Sequence, residues 1–148
     1  RSVVSFFKLR ASYGVTGNSD IPAYQYLSTY SLSALYQNNV AASPSRMANP
    51  DLHWETANMA AIGIDLAFIK RVDMSIDIYQ TDNTGLLIYK PIAPQTGFYQ
   101  VMKNEGAVRN RGIEYRIDAN IINIGKWRWD LGFNIGFNKN KVISLPVH

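Results

Sequence analysis

Three aspartates, Asp65, Asp73 and Asp77, lie close together in the sequence and are the residues best suited to chemistry. Carboxylates at such spacings are able to serve in acid and base catalysis or to bind a hard cation. The chain contains no Asp-x-Asp-x-Asp-Gly calcium loop, and His53 and His148 lie outside any metal-ligand spacing. Neither histidine has an evident serine or acidic companion for nucleophilic catalysis. We therefore predict that the protein is not an enzyme and needs no metal or cofactor.

A second group of candidate functional residues is aromatic. Aromatic rings stack on sugar faces and are also frequent in protein interfaces. The aromatic residues of this group lie in one long connection between two segments of regular alternation. There they either contact a ligand or pack against neighbouring loops. The residues predicted to bind substrate there are Tyr24, Tyr26, Tyr30, Tyr36 and Trp54.

The segments that must position these groups have the periodicity of β-strands. Residues 127–137, WRWDLGFNIGF, alternate without exception between large apolar residues and polar or glycine residues. Eleven residues at about 3.3 Å each, tilted by about 45°, span roughly 25 Å, which is the height of the apolar band of an outer-membrane barrel. Residues 112–122 repeat the pattern, and the short link 123–126 makes the two segments an antiparallel hairpin.

Three further segments alternate in the same way, at 7–13, 62–68 and 72–78. We expect Gly14 and Gly17 to end the first of them. Short links at 69–71 and 123–126 are interleaved with long connections at about 14–55 and 83–106, as in a meander with tight turns at one end and long loops at the other. The sequence thus predicts an all-β, antiparallel up-and-down meander of about five long amphipathic strands, a segment of a large transmembrane β-barrel.

On this interpretation the two faces of each strand have different surroundings. Charged residues line the lumen, where they contact substrate or pair across strands, for example Glu114 with Arg128 or Arg116 with Asp130. Glycines on that face, including Gly112, let the sheet bend and side chains from a plug inside the barrel approach. The predicted lumen-lining residues are Asp65, Asp73, Asp77, Glu114, Arg116, Asp118, Arg128 and Asp130. The predicted lipid-facing residues are Ile113, Ile117, Trp127, Trp129, Leu131, Phe133, Ile135 and Phe137, with the two tryptophans in an interfacial aromatic girdle.

Composition excludes some classes of protein and leaves one alternative. The net charge of +4 arises from scattered Lys and Arg, so we predict no nucleic-acid partner. No apolar run reaches the 18 residues of a transmembrane helix. A soluble all-β carbohydrate-binding module that uses its loop aromatics shares the alternating pattern, but soluble strands cluster near five or six residues. Because five strands do not close a membrane barrel, and because the chain begins at Arg1 and ends at His148, we expect a fragment of a larger protein.

Five motifs also resemble, in order and spacing, the C-terminal barrel region of SusC/RagA-type TonB-dependent transporters. The resemblance covers nearly the whole chain, residues 1–148. It rests on ASYGVTGNSDIPAYQY at 11–26, NPDLHWETANMAAIGIDLAF at 49–68, YQTDNTGLLIYKPIAPQTGF at 79–98, NEGAVRNRGIEYRI at 104–117 and FNIGFNKNKVISL at 133–145.

The resemblance implies a 22-stranded barrel in the outer membrane of a Gram-negative bacterium, with a plug and a TonB box that are not recognisable here. It implies contact with outer-membrane lipid and import of nutrients such as oligosaccharides or peptides. The implied partners are a SusD-like surface lipoprotein over the external mouth and the TonB complex, which supplies energy.

Overall fold

The computed structural model describes residues 3–18, 21–36 and 39–145, and for 33–36 it describes the backbone. The chain is built from antiparallel β-strands, as the alternating sequence predicts. The strands are β1 (Val4–Asn18), β2 (Thr29–Tyr36), β3 (Asn39–Arg46), β4 (Glu55–Phe68), β5 (Val72–Thr84), β6 (Leu87–Pro91), β7 (Gln100–Asn104), β8 (Ala107–Ile124) and β9 (Trp127–Ser144).

Five long strands form one sheet in the order β1-β4-β5-β8-β9. They contain 13 to 18 residues each, so every one is longer than its predicted segment, of which only 112–122 and 127–137 reached about eleven residues. The expectation that Gly14 and Gly17 end the first strand is wrong, because neither glycine adopts a positive φ and β1 continues to Asn18. The five predicted strands and their neighbours are therefore confirmed, but the strands are longer.

The two predicted tight turns are present. The β4–β5 turn has positive φ at both Ile69 and Lys70, and the amide of Arg71 donates to the carbonyl of Phe68 over 3.0 Å. Positive φ at both central residues is the geometry of a type I′ hairpin turn. The β8–β9 turn consists of Gly125 and Lys126 alone, since β8 extends two residues further than the sequence suggested.

The long connections are not irregular loops. One contains the antiparallel hairpin β2–β3, in which Tyr30 pairs with Pro44, and the other contains the hairpin β6–β7, in which Tyr89 pairs with Met102. A short 3₁₀ turn at Pro94–Thr96 separates β6 from β7. Sequence analysis did not predict these four short strands, and two of them, β6 and β7, are too short at five residues to establish a period.

The described residues divide into two compact units. The first comprises those of Arg1–Val15, Asn58–Asp82 and Arg109–Lys141, and therefore most of the long strands. The second comprises those of Thr16–Ala57, Asn83–Val108 and Val142–His148, including both short hairpins.

Candidate functional site

The polar face of the long strands is defined here as the face of the first unit that carries Arg10, Asp65, Asp77, Arg116 and Asp130. Arg10 of β1 reaches across two neighbouring strands on this face. Its Nε and Nη2 donate to the two carboxylate oxygens of Asp65 over 2.8 and 3.0 Å, and Nη2 also donates to Asp77 over 3.1 Å. The side chain is 41% exposed, so the network lies at the surface of the wall and joins β1, β4 and β5.

Gly63 explains how the guanidinium group of Arg10 fits against the sheet. A β-carbon at this position would lie 2.7 Å from Arg10 Nη2 and would also collide with a carboxylate oxygen of Asp77. Gly63 is buried because the arginine covers it. The absence of a side chain at Gly63 thus creates the space in which Arg10 contacts both aspartates.

Tyr79 and Gly112 repeat this arrangement on the next strands. A β-carbon at Gly112 would lie 2.6 Å from the hydroxyl of Tyr79 and 2.7 Å from the carbonyl oxygen of Phe137. Asn138 of β9 donates to the same hydroxyl over 3.3 Å. The sequence predicted that Gly112 admits side chains from a plug; the side chain that it admits in this structure, Tyr79, belongs to the sheet itself.

All eight residues predicted to line a lumen lie around two shallow concavities of the first unit. The larger, of about 880 Å³, is also lined by Ser75, Asn134 and Gly136. The smaller, of about 420 Å³, is also lined by Lys70 and Arg71 beside the β4–β5 turn. The larger concavity contains Asp65, Asp73, Asp77, Glu114, Arg116 and Asp118, and the smaller contains Arg128 and Asp130 together with Asp73 and Asp118.

The cross-strand ion pairs suggested by the sequence do not form. Arg116 pairs with Asp118 over 2.6 Å and Arg128 pairs with Asp130 over 2.7 Å, in each case two positions along the same strand. Asn120, not an arginine, lies beside Asp130 and donates to it over 2.6 Å. The suggested pairings are wrong because Gly136 and Gly132 of β9 lie beside Glu114 and Asp118, which places Asp130 further along the hairpin, beside Asn120.

The opposite face of the same strands, called the apolar face below, is apolar over most of its length. Tyr115 of β8 contacts Met74 of β5 across it, with 3.2 Å between the hydroxyl and the sulfur. Along β9 its side chains are exposed, from 41% at Ile135 to 79% at Trp127. Among the described residues only two hydrophobic side chains, Ala67 and Val101, are buried. The residues predicted to face lipid lie on this apolar face, where all of them are exposed except the half-buried Ile117.

The predicted substrate-binding aromatics lie in the second unit. Tyr24, Tyr26, Tyr30 and Trp54 are exposed, and Trp54 packs over Gly17 at 3.3 Å from the position of a β-carbon. The side chain of Tyr36 lies outside the described residues. The structure therefore leaves four of these rings accessible, and their contact with a ligand stays a prediction.

Sequence reasoning missed a polar network that holds the second unit together. Gln25 is only 7% exposed, accepts a hydrogen bond from Arg46 over 2.7 Å and donates to Tyr89 over 3.2 Å. Arg46 also donates to the backbone carbonyls of Tyr24 and Leu27. No local pattern marks these residues, because they come from three separate stretches of the chain.

Residues 3–18, 21–36 and 39–145 contain no group of three or more His, Asp or Glu side chains placed to hold a metal ion. Within the same ranges no helix is long and apolar enough to cross a membrane.

An antiparallel sheet of long strands with one charged face and one exposed apolar face defines the class of β-barrel wall segments. Comparison with known families gives the particular family. Residues 3–144 match the family model described as TonB dependent receptor-like, beta-barrel, and the chain belongs to this family.

Its relatives include transporters of the SusC and RagA kind. The chain is 36% identical to TonB-dependent receptor P39 of Formosa agariphila over 143 residues, which cover 96% of this chain and 14% of that protein. It is 30% identical to TonB-dependent receptor SusC of Bacteroides thetaiotaomicron over 97% of this chain and 15% of that protein.

Among solved structures, the RagAB peptide importer in its 'open-open' state superimposes with a TM-score of 0.86 at 26% identity, over 98% of this chain and 16% of that one. The chain thus spans about one seventh of the length of these relatives. The predicted all-β barrel fold and the resemblance to SusC/RagA transporters are confirmed.

Proposed function

We propose that this chain forms part of the barrel wall of a nutrient importer in the outer membrane of a Gram-negative bacterium. The polar face lines the lumen, and the apolar face contacts outer-membrane lipid. The wall carries out no catalytic chemistry. Energy for import comes from the TonB complex through parts of the complete transporter that lie beyond these 148 residues.

The observation that carries this proposal is the uncovered apolar face of β9. A soluble protein rarely exposes a contiguous apolar patch of this kind, whereas lipid-facing strands of a barrel require one. Opposite it, Arg10, Asp65 and Asp77 occupy the polar face and pair with one another.

The relatives support a class of substrate and a partner. One solved relative is named a peptide transporter and another protein in the comparison is SusC, so oligosaccharides or peptides are the proposed cargo. The complete transporter would act with a SusD-like surface lipoprotein. The exposed rings of Tyr24, Tyr26, Tyr30 and Trp54 are candidates for contact with cargo or lipoprotein, since aromatic rings suit both.

The alternative, a soluble carbohydrate-binding sandwich, requires the apolar face to pack on a second sheet. The described residues place no second sheet of the first unit over that face, and only Ala67 and Val101 are buried apolar residues. The strand lengths of 13 to 18 residues also exceed those of ordinary soluble sandwiches.

The test measures the surroundings of β9 in the complete transporter. The segment contains no cysteine, so single cysteines at Phe133, Ile135 and Phe137 can carry nitroxide labels, with Asn134 and Gly136 as matched controls on the other face. The measurement compares relaxation by oxygen, which partitions into lipid, with relaxation by a water-soluble nickel complex in bilayers. We expect the first three labels to respond to oxygen and the controls to the nickel complex. Labels at all five sites shielded from both reagents would refute the proposal.

A further inference from the structure

Cationic residues follow the apolar band at one end of the apolar face. The contact between Tyr79 and Gly112, and that between Tyr79 and Asn138, align β5, β8 and β9 laterally. Ile78, Ile113 and Phe137 are the sequence neighbours of Tyr79, Gly112 and Asn138, and alternation turns them to the apolar face. They therefore lie side by side and form the last apolar row at this end of the face.

The next two rows on the same face are polar. The first contains Gln80, Arg111 and Lys139, and the second contains Asp82, Arg109 and Lys141. The ion pair between Arg109 and Asp82, with 2.6 Å between nitrogen and oxygen, confirms the alignment of the second row. These two rows, called the cationic rows below, contain four cations and one carboxylate.

Three of the four cations have no counter-charge. Arg109 is paired with Asp82, but Arg111, Lys139 and Lys141 are exposed and form no ion pair with any described residue. Arg111 lies beside Lys139 on the adjacent strand, and like charges at such positions destabilise a sheet. An anion between the two strands would remove this repulsion.

The depth of the cationic rows indicates where that anion lies. Two residues along a strand advance about 6.6 Å, or roughly 5 Å along the membrane normal at the usual tilt. Arg111 and Lys139 are thus placed just beyond the hydrocarbon, at the level of lipid headgroups. Basic residues that face outward at this level recognise anionic lipids.

We infer that the cationic rows bind the phosphate groups of an anionic lipid in the leaflet at the long-connection end of the strands. In an outer membrane this lipid is the phosphorylated glycolipid lipid A. Arg111 and Lys139 contact one phosphate together, and Lys141 extends the site away from the hydrocarbon. The inference depends on the proposed membrane-barrel function, since only a bilayer supplies the lipid at that height.

The test uses the complete transporter, purified in detergent after incubation with diphosphorylated lipid A. Native mass spectrometry counts the lipid A molecules retained by the wild type, by the variant R111Q/K139Q/K141Q and by the control K70Q/R71Q/K126Q. The control removes the same number of cations at the tight turns. Each cation strengthens binding of an anionic lipid by about fivefold, so we expect the first variant, which lacks three, to lose about a hundredfold in affinity and the control to retain binding.

Equal lipid A binding by the wild type and R111Q/K139Q/K141Q would overturn the inference. Loss of a co-purifying lipoprotein without any change in lipid A binding would also overturn it, in favour of a protein partner. A nitroxide label at Phe137 in the same preparation separates the two proposals. If this label reports lipid while the three substitutions do not change lipid A binding, the barrel-wall proposal is supported and the lipid A site is refuted. If the label reports water, both proposals are refuted.

Discussion

Gly112 offers the sharpest test of how the wall is packed. Replacing it by alanine places a β-carbon 2.6 Å from the hydroxyl of Tyr79 and 2.7 Å from the carbonyl oxygen of Phe137. Ordinary contacts between such atoms are about 3.5 Å, so each neighbour must move by nearly 1 Å. Tyr79 can move by rotation of its side chain, but Phe137 contributes a backbone atom of β9 and moves only with its strand.

The expected cost follows from two opposing effects. Overpacking costs about 1–3 kcal/mol, while replacing glycine by alanine lowers the entropy of the unfolded chain and returns about 0.4–1 kcal/mol. We therefore expect G112A to lower the free energy of unfolding by about 1–2 kcal/mol. The double variant Y79F/G112A removes the contact with the tyrosine hydroxyl but keeps those with the ring carbon Cζ and with the Phe137 carbonyl, so it should recover only part of this loss.

The assay is reversible guanidinium unfolding of the complete transporter in lipid vesicles, followed by tryptophan fluorescence. The matched control is G136A on β9, where the new β-carbon would meet only Glu114 Cγ at an ordinary 3.6 Å. Because its φ is not positive, this variant should be neutral or more stable than the wild type. Equal unfolding free energies for G112A and G136A would refute the close contacts at Gly112.

Three further predictions concern the turns and the two polar networks. G125A and G14A both add a methyl group in open space, but only Gly125 has a positive φ. In the same unfolding assay, G125A should therefore lower the free energy of unfolding by about 1–2 kcal/mol, and G14A should leave it unchanged. G63A should displace Arg10 from Asp65 and Asp77 and destabilise the wall, and R10A/G63A should be less harmful than the sum of its two single substitutions in a double-mutant cycle. Q25A removes the hydrogen-bond partner of Arg46 and Tyr89. Amide hydrogen exchange should therefore accelerate in residues 22–27 and remain unchanged in β5. Unchanged exchange at 22–27 would contradict the role of this network.

Much of the long-strand architecture could be predicted because the two faces of a single strand are set by contiguous residues. Alternation along 127–137 sets which side chains share a face, and the glycine-containing link before Trp127 sets the direction of the neighbouring strand. Strand ends were predicted less well, since Gly14 and Gly17 are able to remain extended when neighbouring strands pair with them. The hairpin β6–β7 was missed because its strands have too few residues to establish a period.

The candidate site shows the same division. Its charged residues were predicted to share a face, and they do, but their partners were not predicted. A pairing between Arg116 and Asp130 would need a different register, since Asp130 lies beside Asn120, and each arginine pairs along its own strand instead. Arg10 was on the predicted polar face, yet its contact with Asp77 depends on the position of β1 beside β4, which are separated by a long connection.

The sequence by itself determined the class of fold, the two faces of each long strand and the family, because alternation and motif order are properties of contiguous residues. Only the tertiary structure decided the lateral alignment of the strands. That alignment placed Arg10 over Gly63, Tyr79 over Gly112 and Arg111 beside Lys139. The physical reason is that lateral alignment depends on turn length and on pairing between residues far apart in the chain, and a shift of two residues preserves the faces while exchanging every neighbour.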